Sequence, residues 1–357
     1  MELKSLVNFF RDLFDPPEKS WEGLYGLEKA NAMLYDLAVQ GKVPGMAVTV
    51  LKDGDTVFDK GYGFANLEEK VPVDPQNTVF RIASISKCIT GIALAKMLEE
   101  GLIDLDASFY EYVPYHPKKE YDFTLRQLAG HTAGIRGYRG KEFALNKPFS
   151  IQQSIEVFKN DPLVFEPGKG YLYNSFDFVL LSLAMQEACG ISFEEYVRKK
   201  VLDPLGMGNT YPTDINGDIS DRENDLAEFY TRSATGFKKA VVVNNHYKMA
   251  GGGYLSTSHD IAKLGSEILN PKIVESRILQ EVLTSQTVDE NPTYYGLGFQ
   301  VSQDVHGKSF VGHIGNSVGA YSNFFVYPNE KKVISILINC TDPKVQNKLD
   351  DINILFN

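Results

Sequence analysis

Apolar and polar positions alternate along this chain with two periods, and the first part of the chain contains both. Apolar residues recur every three or four positions over residues 27–39, which predicts a helix. Residues 45–51 and 56–63 have strand patterns, and the polar turn at 52–55 between them is typical of a hairpin. We therefore expect the chain to begin with a helix and a β-hairpin.

The middle of the chain, from residue 84 to about residue 207, is mostly helical in period and has long loops. Its strongest pattern is an apolar run that begins at Ser84 and ends at Gly101, which predicts one buried helix with a glycine stop. Further helices are predicted at residues 124–129, 176–188, 192–201 and 260–269. A glycine-rich turn at 250–258 precedes the last of these, and without a phosphate-binding motif it predicts close backbone packing.

Strand patterns return near the C-terminus, at residues 296–301, 309–313, 321–327 and 333–338, before a closing helix at 343–355. Strands at both ends of a helical block predict an α+β fold, an α/β sandwich. One antiparallel sheet, built from residues 21–79 and 290–357, would be flanked by helices. A mostly helical subdomain at residues 80–289 would be inserted in it.

Composition and charge narrow the class of protein. A 43% hydrophobic content is that of a globular chain, and no apolar run is long enough to span a bilayer. The net charge of −10 without a basic cluster argues against a nucleic-acid partner. Cys88, Cys189 and Cys340 are widely separated, which favours reduced thiols. No histidine pair has the spacing of a metal site, so we expect neither a metal nor a cofactor.

The N-terminal segment, residues 1–20, begins with an amphipathic stretch at 1–14. Charges interrupt its apolar part and no small-residue cleavage site follows, so it does not resemble a secretory signal. We expect it to dock on its own domain, and the chain as written to be cytoplasmic. A periplasmic or secreted location is the alternative if a leader has been removed.

Ser84 and Lys87 carry the first candidate chemistry. Three residues apart on a helix, the two side chains share one face. A serine hydroxyl needs a base within hydrogen-bond reach to act as a nucleophile, and a lysine with a lowered pKa can serve. The structural alternative is a helix-capping serine followed by a surface lysine, and the Ser-x-x-Lys pattern alone does not decide between them.

Two other patterns suggest different chemistry and are weaker. Residues 315–319 read Gly-x-Ser-x-Gly, like the nucleophile elbow of α/β-hydrolases, but that fold needs a histidine after the serine. All six histidines precede Ser317, so we interpret Ser317 as a turn residue. His131 could be a general base, but in its turn beside apolar helices it is more typical of a hydrogen-bonded structural residue.

Several ordered landmarks together resemble one known group of proteins. They lie at residues 80–87, 131–135, 166–173, 204–207, 251–257, 295–299 and 312–315. The sequence resembles the serine β-lactamase and penicillin-binding-protein superfamily, specifically its class C β-lactamase-like branch. That branch also holds D-peptidases, carboxylesterases and the β-lactamase-like protein of mitochondria.

The resemblance implies roles for individual residues. Ser84 resembles the acylated nucleophile, Lys87 its basic partner, and Tyr173 the tyrosine of the Tyr-x-Asn motif. Ser175 stands where that motif has asparagine, and a hydroxyl there can still hydrogen-bond Lys87 or a substrate carbonyl. Which member of the Lys87–Tyr173 pair is deprotonated stays open, because such a pair titrates as a unit.

His313 and Gly315 resemble the third motif, which is Lys-Thr-Gly in lactamases. The resemblance implies that this strand edge runs along the substrate and that Gly315 and Asn316 contact it. The backbone N–H groups of Asn316 and Ser84 would form the oxyanion hole. Histidine in place of lysine resembles D-peptidases, where a partial positive charge faces a substrate carboxylate.

Together these residues imply a serine hydrolase that cleaves an ester or amide through an acyl-enzyme on Ser84. Its partner would be a small-molecule ester, a β-lactam or a short D-peptide. The alternative is a non-catalytic penicillin-binding-like or regulatory protein on the same scaffold. We expect loops at residues 136–150 and 213–240 to form the pocket walls.

Overall fold

The computed structural model describes residue 21 and residues 23–214 and 225–356. The predicted N-terminal segment, residues 1–20, and most of the polar stretch after residue 214 lie outside the described residues. The helices are α1 (Gly26–Val39), α2 (Ser86–Glu99), α3 (Phe109–Tyr112), α4 (Leu125–Ala129), α5 (Ile151–Ser154), α6 (Phe176–Cys189), α7 (Phe193–Val197), α8 (Met249–Gly252), α9 (Ser258–Leu269), α10 (Ser276–Val282) and α11 (Gln346–Asn353).

The strands fall into one large sheet and three small ones. They are β1 (Gly45–Lys52), β2 (Asp55–Asn66), β3 (Val71–Pro72), β4 (Phe80–Arg81), β5 (Tyr211–Pro212), β6 (Tyr230–Ser233), β7 (Gly236–Lys239), β8 (Tyr254–Ser256), β9 (Thr287–Val288), β10 (Asn291–Pro292), β11 (Gln300–Gln303), β12 (Ser309–Ser317), β13 (Ala320–Tyr327), β14 (Lys332–Ile338) and β15 (Cys340–Thr341). Seven of them form the large sheet in the order β11-β12-β13-β14-β1-β2-β3.

The large sheet joins the two ends of the chain. Neighbouring strands are antiparallel throughout, and β1 pairs with β14 from Met46 opposite Ile338 to Lys52 opposite Lys332. Helices pack on both of its faces, which confirms the predicted α+β class. The turn between β1 and β2 is the predicted one, with Asp53 at φ 53° and Gly54 at φ 94°, the left-handed conformation that tight hairpins use.

The two faces of the sheet bury separate cores. In β1, Met46, Val48 and Val50 face a core that contains residues of α1 and α11. The alternate residues Ala47 and Leu51 belong to a larger core with α2, α6 and α9. Since successive side chains of a strand point to opposite faces, a strand covered on both sides must be apolar throughout.

Helix α2 lies inside the larger core. From Ser86 to Ala95 every residue is buried, so the helix has no solvent face. Gly101 follows its end with φ 66°, as the glycine stop predicted. The regular helix begins at Ser86, however, and Ser84 belongs to a 3₁₀ turn, Ala83–Ile85, that precedes it.

Two local predictions differ from the structure. The predicted strand at 296–301 becomes regular only at Gln300, because the chain bends around α2 at Gly298, which has φ 95°. A Cβ at Gly298 would lie 2.5 Å from the carbonyl oxygen of Lys87.

The glycine-rich segment at residues 250–258 is not a simple turn but forms α8 and β8. Its close packing is confirmed, since a Cβ at Gly253 would lie 2.3 Å from the Asn245 carbonyl oxygen.

Length and hydropathy identify no single membrane-spanning helix within the described ranges. Only Phe176–Cys189 taken together with Phe193–Leu202 meets those two criteria, and this pair is bent by 78°.

Candidate active site

The turn that carries Ser84 is held in an unusual backbone conformation. Ala83 has φ 48°, which a residue with a Cβ adopts at a cost. Two hydrogen bonds of Ser86 maintain it: the hydroxyl donates to the Ala83 carbonyl at 2.7 Å and accepts from the Tyr254 N–H at 3.1 Å. The first residue of α2 and strand β8 therefore fix the position of Ser84.

Tyr173 reaches Ser84 from the loop before α6. Its hydroxyl lies 2.7 Å from the Ser84 hydroxyl oxygen, a hydrogen bond in which the phenol is the donor. The ring is 39% exposed to the cleft, yet the protein crowded around it raises the pKa of the phenol well above its usual range. Tyr173 is thus held protonated against the nucleophile.

Lys87 lies fully buried on the other side of this pair. Its amine donates to the Gly251 carbonyl at 2.6 Å and to the Ser175 hydroxyl at 3.4 Å, and it lies 4.7 Å from the centre of the Tyr173 ring. Burial, followed by the charge of Lys248, lowers the pKa of Lys87 to about 7. Near neutral pH a large fraction of this amine is therefore uncharged and able to accept a proton.

The predicted oxyanion-hole residues are brought to one place. Ser84 and Asn316 line the same cavity of about 70 Å³. Strand β12 approaches the nucleophile turn so closely that a Cβ at Gly315 would lie 2.7 Å from the Ile82 carbonyl oxygen. Only glycine fits there. Ser317 ends β12 beside this cavity, and the turn to β13 follows at Gly319, with φ 71°.

His313 is placed differently from the expectation that its charge faces substrate. Only 1% of the residue is exposed. Its Nε2 lies 3.0 Å from the Tyr295 hydroxyl and its Nδ1 lies 2.6 Å from the Ile314 carbonyl oxygen, so both ring nitrogens have partners inside the protein. Burial, followed by the charge of Lys87, lowers the pKa of His313 to about 3. These surroundings favour a neutral imidazole and do not support the predicted partial charge.

His131 supports the site from below. Its Nδ1 lies 2.7 Å from the Asp177 carboxylate, which also accepts a hydrogen bond from the Asn174 amide at 2.7 Å. The imidazole packs edge-on against the Tyr173 ring, with 4.7 Å between ring centres. This is the hydrogen-bonded structural histidine that the sequence predicts, and it backs the tyrosine that contacts Ser84.

One residue of the site was missed by the sequence reasoning. Lys248, in the turn before α8, lines the cavity with Ser84 and Asn316. A lone lysine in a turn belongs to no motif, so nothing local in the sequence distinguishes it from a surface lysine. Tyr138 and Phe143 line the same cavity, so part of the predicted wall at residues 136–150 does form one side.

Neither cavity size nor ligand clustering points to another reactive centre. A larger groove of about 430 Å³ runs along the edge of the sheet at β11 and β12, far from Ser84. It is lined by apolar and hydroxyl side chains and by Gln303, and none of its lining residues is a lysine, histidine or carboxylate that could serve as a base. In the described ranges, no three His, Cys, Asp or Glu side chains come together as metal ligands.

Comparisons with known proteins agree with this geometry. The family model described as beta-lactamase matches residues 11–356. The mitochondrial serine beta-lactamase-like protein LACTB of Homo sapiens is 29% identical to this chain, over 85% of the chain and 72% of that protein.

Solved structures share the fold. The octameric penicillin-binding protein homologue from Pyrococcus abyssi has a TM-score of 0.77 and 28% identity, covering 88% of this chain and 73% of its own. The D-amino acid amidase from Ochrobactrum anthropi has a TM-score of 0.79, covering 91% of this chain and 97% of its own. Since its identity is only 19%, it supports the fold alone.

Proposed function

The chain belongs to the beta-lactamase family, within the serine β-lactamase and penicillin-binding-protein superfamily, and from that premise we propose that it is a working serine hydrolase. It cleaves an ester or amide through an acyl-enzyme on Ser84. The contact that carries the proposal is the 2.7 Å hydrogen bond between the hydroxyls of Tyr173 and Ser84. A base of lowered pKa, Lys87, lies beside the same tyrosine.

The proton that leaves Ser84 is taken up by the Lys87–Tyr173 pair. The phenol of Tyr173 has a raised pKa and rests protonated, whereas the amine of Lys87 titrates at about pH 7. Lys87 is therefore the member that stores the proton, and Tyr173 is the member that touches the reacting oxygen. The pair titrates as one unit.

Attack by Ser84 on the substrate carbonyl forms the Ser84 Oγ–carbon bond and places negative charge on the carbonyl oxygen. The N–H groups of Ser84 and Asn316 are the proposed donors to that oxyanion. The stored proton then passes to the leaving alcohol or amine as its bond to the carbonyl carbon breaks. Water, deprotonated by the same pair, hydrolyses the acyl-enzyme and regenerates Ser84.

The leaving group is the part of the proposal that the site constrains least. Ser175, the residue in place of the motif asparagine, is 3.4 Å from Lys87, so its hydroxyl keeps the link to the base. Its hydroxyl combines one donor and an acceptor in a single oxygen, whereas a carboxamide offers two donors and a separate acceptor. We therefore rank short esters ahead of β-lactams, with D-amino-acid amides between them.

A fluorophosphonate probe tests the nucleophile directly. We expect the wild-type protein to be labelled and peptide mapping to locate the adduct on Ser84, because its hydroxyl is the one that Tyr173 contacts at 2.7 Å. Ser84→Ala should abolish labelling, while Ser302→Ala, on the distant strand β11, should label like wild type. An adduct on Ser317, or undiminished labelling of Ser84→Ala, would refute the assignment.

A turnover panel separates an enzyme from a binding protein on the same scaffold. 4-Nitrophenyl butyrate, a D-alanyl amide and nitrocefin are compared at equal concentration. We expect the ester to turn over fastest. A folded protein that is neither labelled nor active on any of the three would support the non-catalytic alternative.

A further inference from the structure

Three cations near the nucleophile turn lack a carboxylate ion-pair partner among the described residues, and one of them, Lys248, lines the cavity. Arg81, Lys87 and Lys248 are each in or beside the nucleophile turn, and none forms an ion pair with any described residue, although the protein carries a net charge of −10. Buried charges are ordinarily paired, because an isolated charge is expensive to remove from water. An unpaired cluster of one sign therefore calls for a ligand of the other sign.

Two of the three cations have other tasks. Lys87 is the proposed base. The Arg81 guanidinium donates to the Val318 carbonyl at 2.9 Å and stacks 3.9 Å above the Phe229 ring, away from the residues that line the cavity. Lys248 is the cation left to meet a substrate.

Lys248 is placed to do so. Only 5% of the residue is exposed, and it lines the cavity with Ser84, Ser175 and Asn316. A Cβ built on Gly252 would lie 3.9 Å from the Ala83 carbonyl carbon and 4.0 Å from Cδ of Lys248. The absence of a side chain at Gly252 thus leaves a narrow gap between the lysine stem and the nucleophile turn.

Burial, followed by the charge of Arg81, lowers the pKa of Lys248 to about 7, and the ammonium form that is present at and below that pH retains capacity to donate. It makes one hydrogen bond, to the Phe143 carbonyl oxygen at 2.7 Å, among the described residues. The Tyr138 and Tyr247 rings lie 5.4 and 5.3 Å from it and favour the cation without neutralising it. An ammonium group has three donors, so two are available to an incoming acceptor.

We propose that Lys248 is a specificity-determining residue that selects substrates carrying a carboxylate on the part that enters this cavity. The assignment rests on the proposed function and names its substrate class. It takes over the task that the sequence suggested for His313, whose ring nitrogens are both engaged inside the protein. A carboxylate held by Lys248 would keep the scissile carbonyl next to Ser84.

A matched pair of esters tests the assignment. Mono-4-nitrophenyl adipate and 4-nitrophenyl hexanoate have the same acyl length and leaving group and differ by one terminal carboxylate. The measured quantity is the ratio of kcat/KM for the adipate to that for the hexanoate. Any change in the base affects both esters equally and cancels in this ratio.

We expect wild type to favour the adipate and Lys248→Met to reduce the ratio about tenfold or more, mainly through the KM of the adipate, as for a hydrogen bond to a charged group. Lys248→Arg, which keeps the charge, should restore much of the ratio. Lys263→Met, in α9, removes a lysine that already pairs with Asp260 and should leave it unchanged.

Two results would overturn the assignment. One is a wild-type protein without preference for the adipate. The other is a folded Lys248→Met protein with the wild-type ratio, which would mean that Lys248 only ties down the segment at Phe143.

Failure of the proposed function is separable from failure of this inference. If neither ester turns over, calorimetry with adipate alone still measures the anion site. Weaker binding of adipate to Lys248→Met than to wild type supports the site without catalysis. Equal binding, or none to either protein, rejects it.

Discussion

Lys87 and Arg136 are both cations buried in the same half of the molecule, and their surroundings differ in one respect. Arg136 donates to the Asp161 carboxylate at 2.6 Å, to both Glu142 carboxylate oxygens at 2.6 and 3.1 Å, and to the carbonyls of Gly137 and Val157. Lys87 has a carbonyl and a hydroxyl and no carboxylate among the described residues.

The pKa values of the two groups move in opposite directions. Burial alone would lower the pKa of Arg136, but its hydrogen bonds to Glu142 and Asp161 outweigh burial, and the pKa is raised. At Lys87, burial and the charge of Lys248 outweigh the opposing effects of Cys88 and Asp177, and the pKa is lowered to about 7. A buried cation with carboxylates is a structural cross-link, whereas one without them is ready to exchange a proton.

We expect the largest effect from removing Lys87, the cation without a carboxylate partner among the described residues, and we expect it on catalysis. Lys87→Met is expected to lower kcat/KM for 4-nitrophenyl butyrate by about 100- to 10,000-fold, the usual contribution of a positioned base. The same change should raise the thermal midpoint, because methionine fills a similar volume without a buried charge.

The gain in stability has a defined pH window. Between pH 7 and 10.5 the unfolded chain holds a proton on Lys87 that the folded protein releases, so wild-type stability rises with pH across that window. The advantage of Lys87→Met should therefore be largest at or below pH 7 and shrink towards pH 10. Thermal unfolding at pH 7 and 9.5, with Lys263→Met as control, measures this; an equal or lower midpoint at pH 7 contradicts it.

Removing the paired cation should act on stability. Arg136→Met leaves Glu142 and Asp161 facing each other without their common partner, which we expect to cost about 3 kcal/mol of unfolding free energy. Denaturant unfolding measures the loss. Arg136→Lys should recover only part of it, because an ammonium cannot bridge two carboxylates as a guanidinium fork does. If Arg136→Met had the wild-type free energy of unfolding, Arg136 would not be a structural cross-link and would not differ from Lys87 in this respect.

The pH dependence of catalysis sharpens the contrast further. Lys87 must be uncharged to accept a proton, so kcat/KM should fall about tenfold per pH unit below about pH 7 and be level above it. Arg136 stays charged over this pH range, so it contributes no falling limb to the plot of kcat/KM against pH. In Lys248→Met the limb should move to higher pH, because a neighbouring positive charge that lowers the pKa of Lys87 is gone. A flat profile from pH 5.5 to 7.5 would contradict this.

The smallest effect is expected at Arg139, which shares Asp161 with Arg136. Arg139 is 61% exposed and makes a single ion pair at 2.8 Å. Solvent screens such pairs, so Arg139→Met should change the unfolding free energy by less than about 1 kcal/mol. Both variants are unfolded in the same denaturant titration. If Arg139→Met lost as much unfolding free energy as Arg136→Met, burial would not explain the difference between the two arginines.

The sequence predicted the parts of the site that belong to ordered motifs. Tyr173 contacts Ser84 and Lys87 lies beside the Tyr173 ring, so the three predicted residues are neighbours, while their catalytic roles stay a prediction. Lys248 and the partners of Arg136 could not be predicted, since their significance lies in contacts between segments distant along the chain. The buried, neutral state of the His313 imidazole was missed for the same reason. The strand pattern of β12 does not reveal that both faces of the sheet are covered and that the side chain is therefore removed from water.

The same limit applies to local backbone. The hairpin of β1 and β2 and the helix α2 follow from turn residues and periodicity, and both are confirmed. The left-handed conformation of Ala83 could not be predicted from the sequence, because alanine has no preference for that conformation. A local hydrogen bond from the Ser86 hydroxyl to the Ala83 carbonyl supports it. The same hydroxyl accepts from the Tyr254 N–H, and this second bond forms only when β8 is in place.

The pairing of β1 with β14 has a consequence for how the protein is made. During synthesis β1 leaves the ribosome long before its neighbour β14, and β12, which carries Asn316, is also made late. Until then the apolar edge of β1 is unpaired and open to misassociation, which is the hazard of sheets closed by distant segments. The turn that carries Ser84 is synthesised early, but it stays without its facing strand until translation is nearly over, so the candidate site is among the last parts of the molecule to be completed.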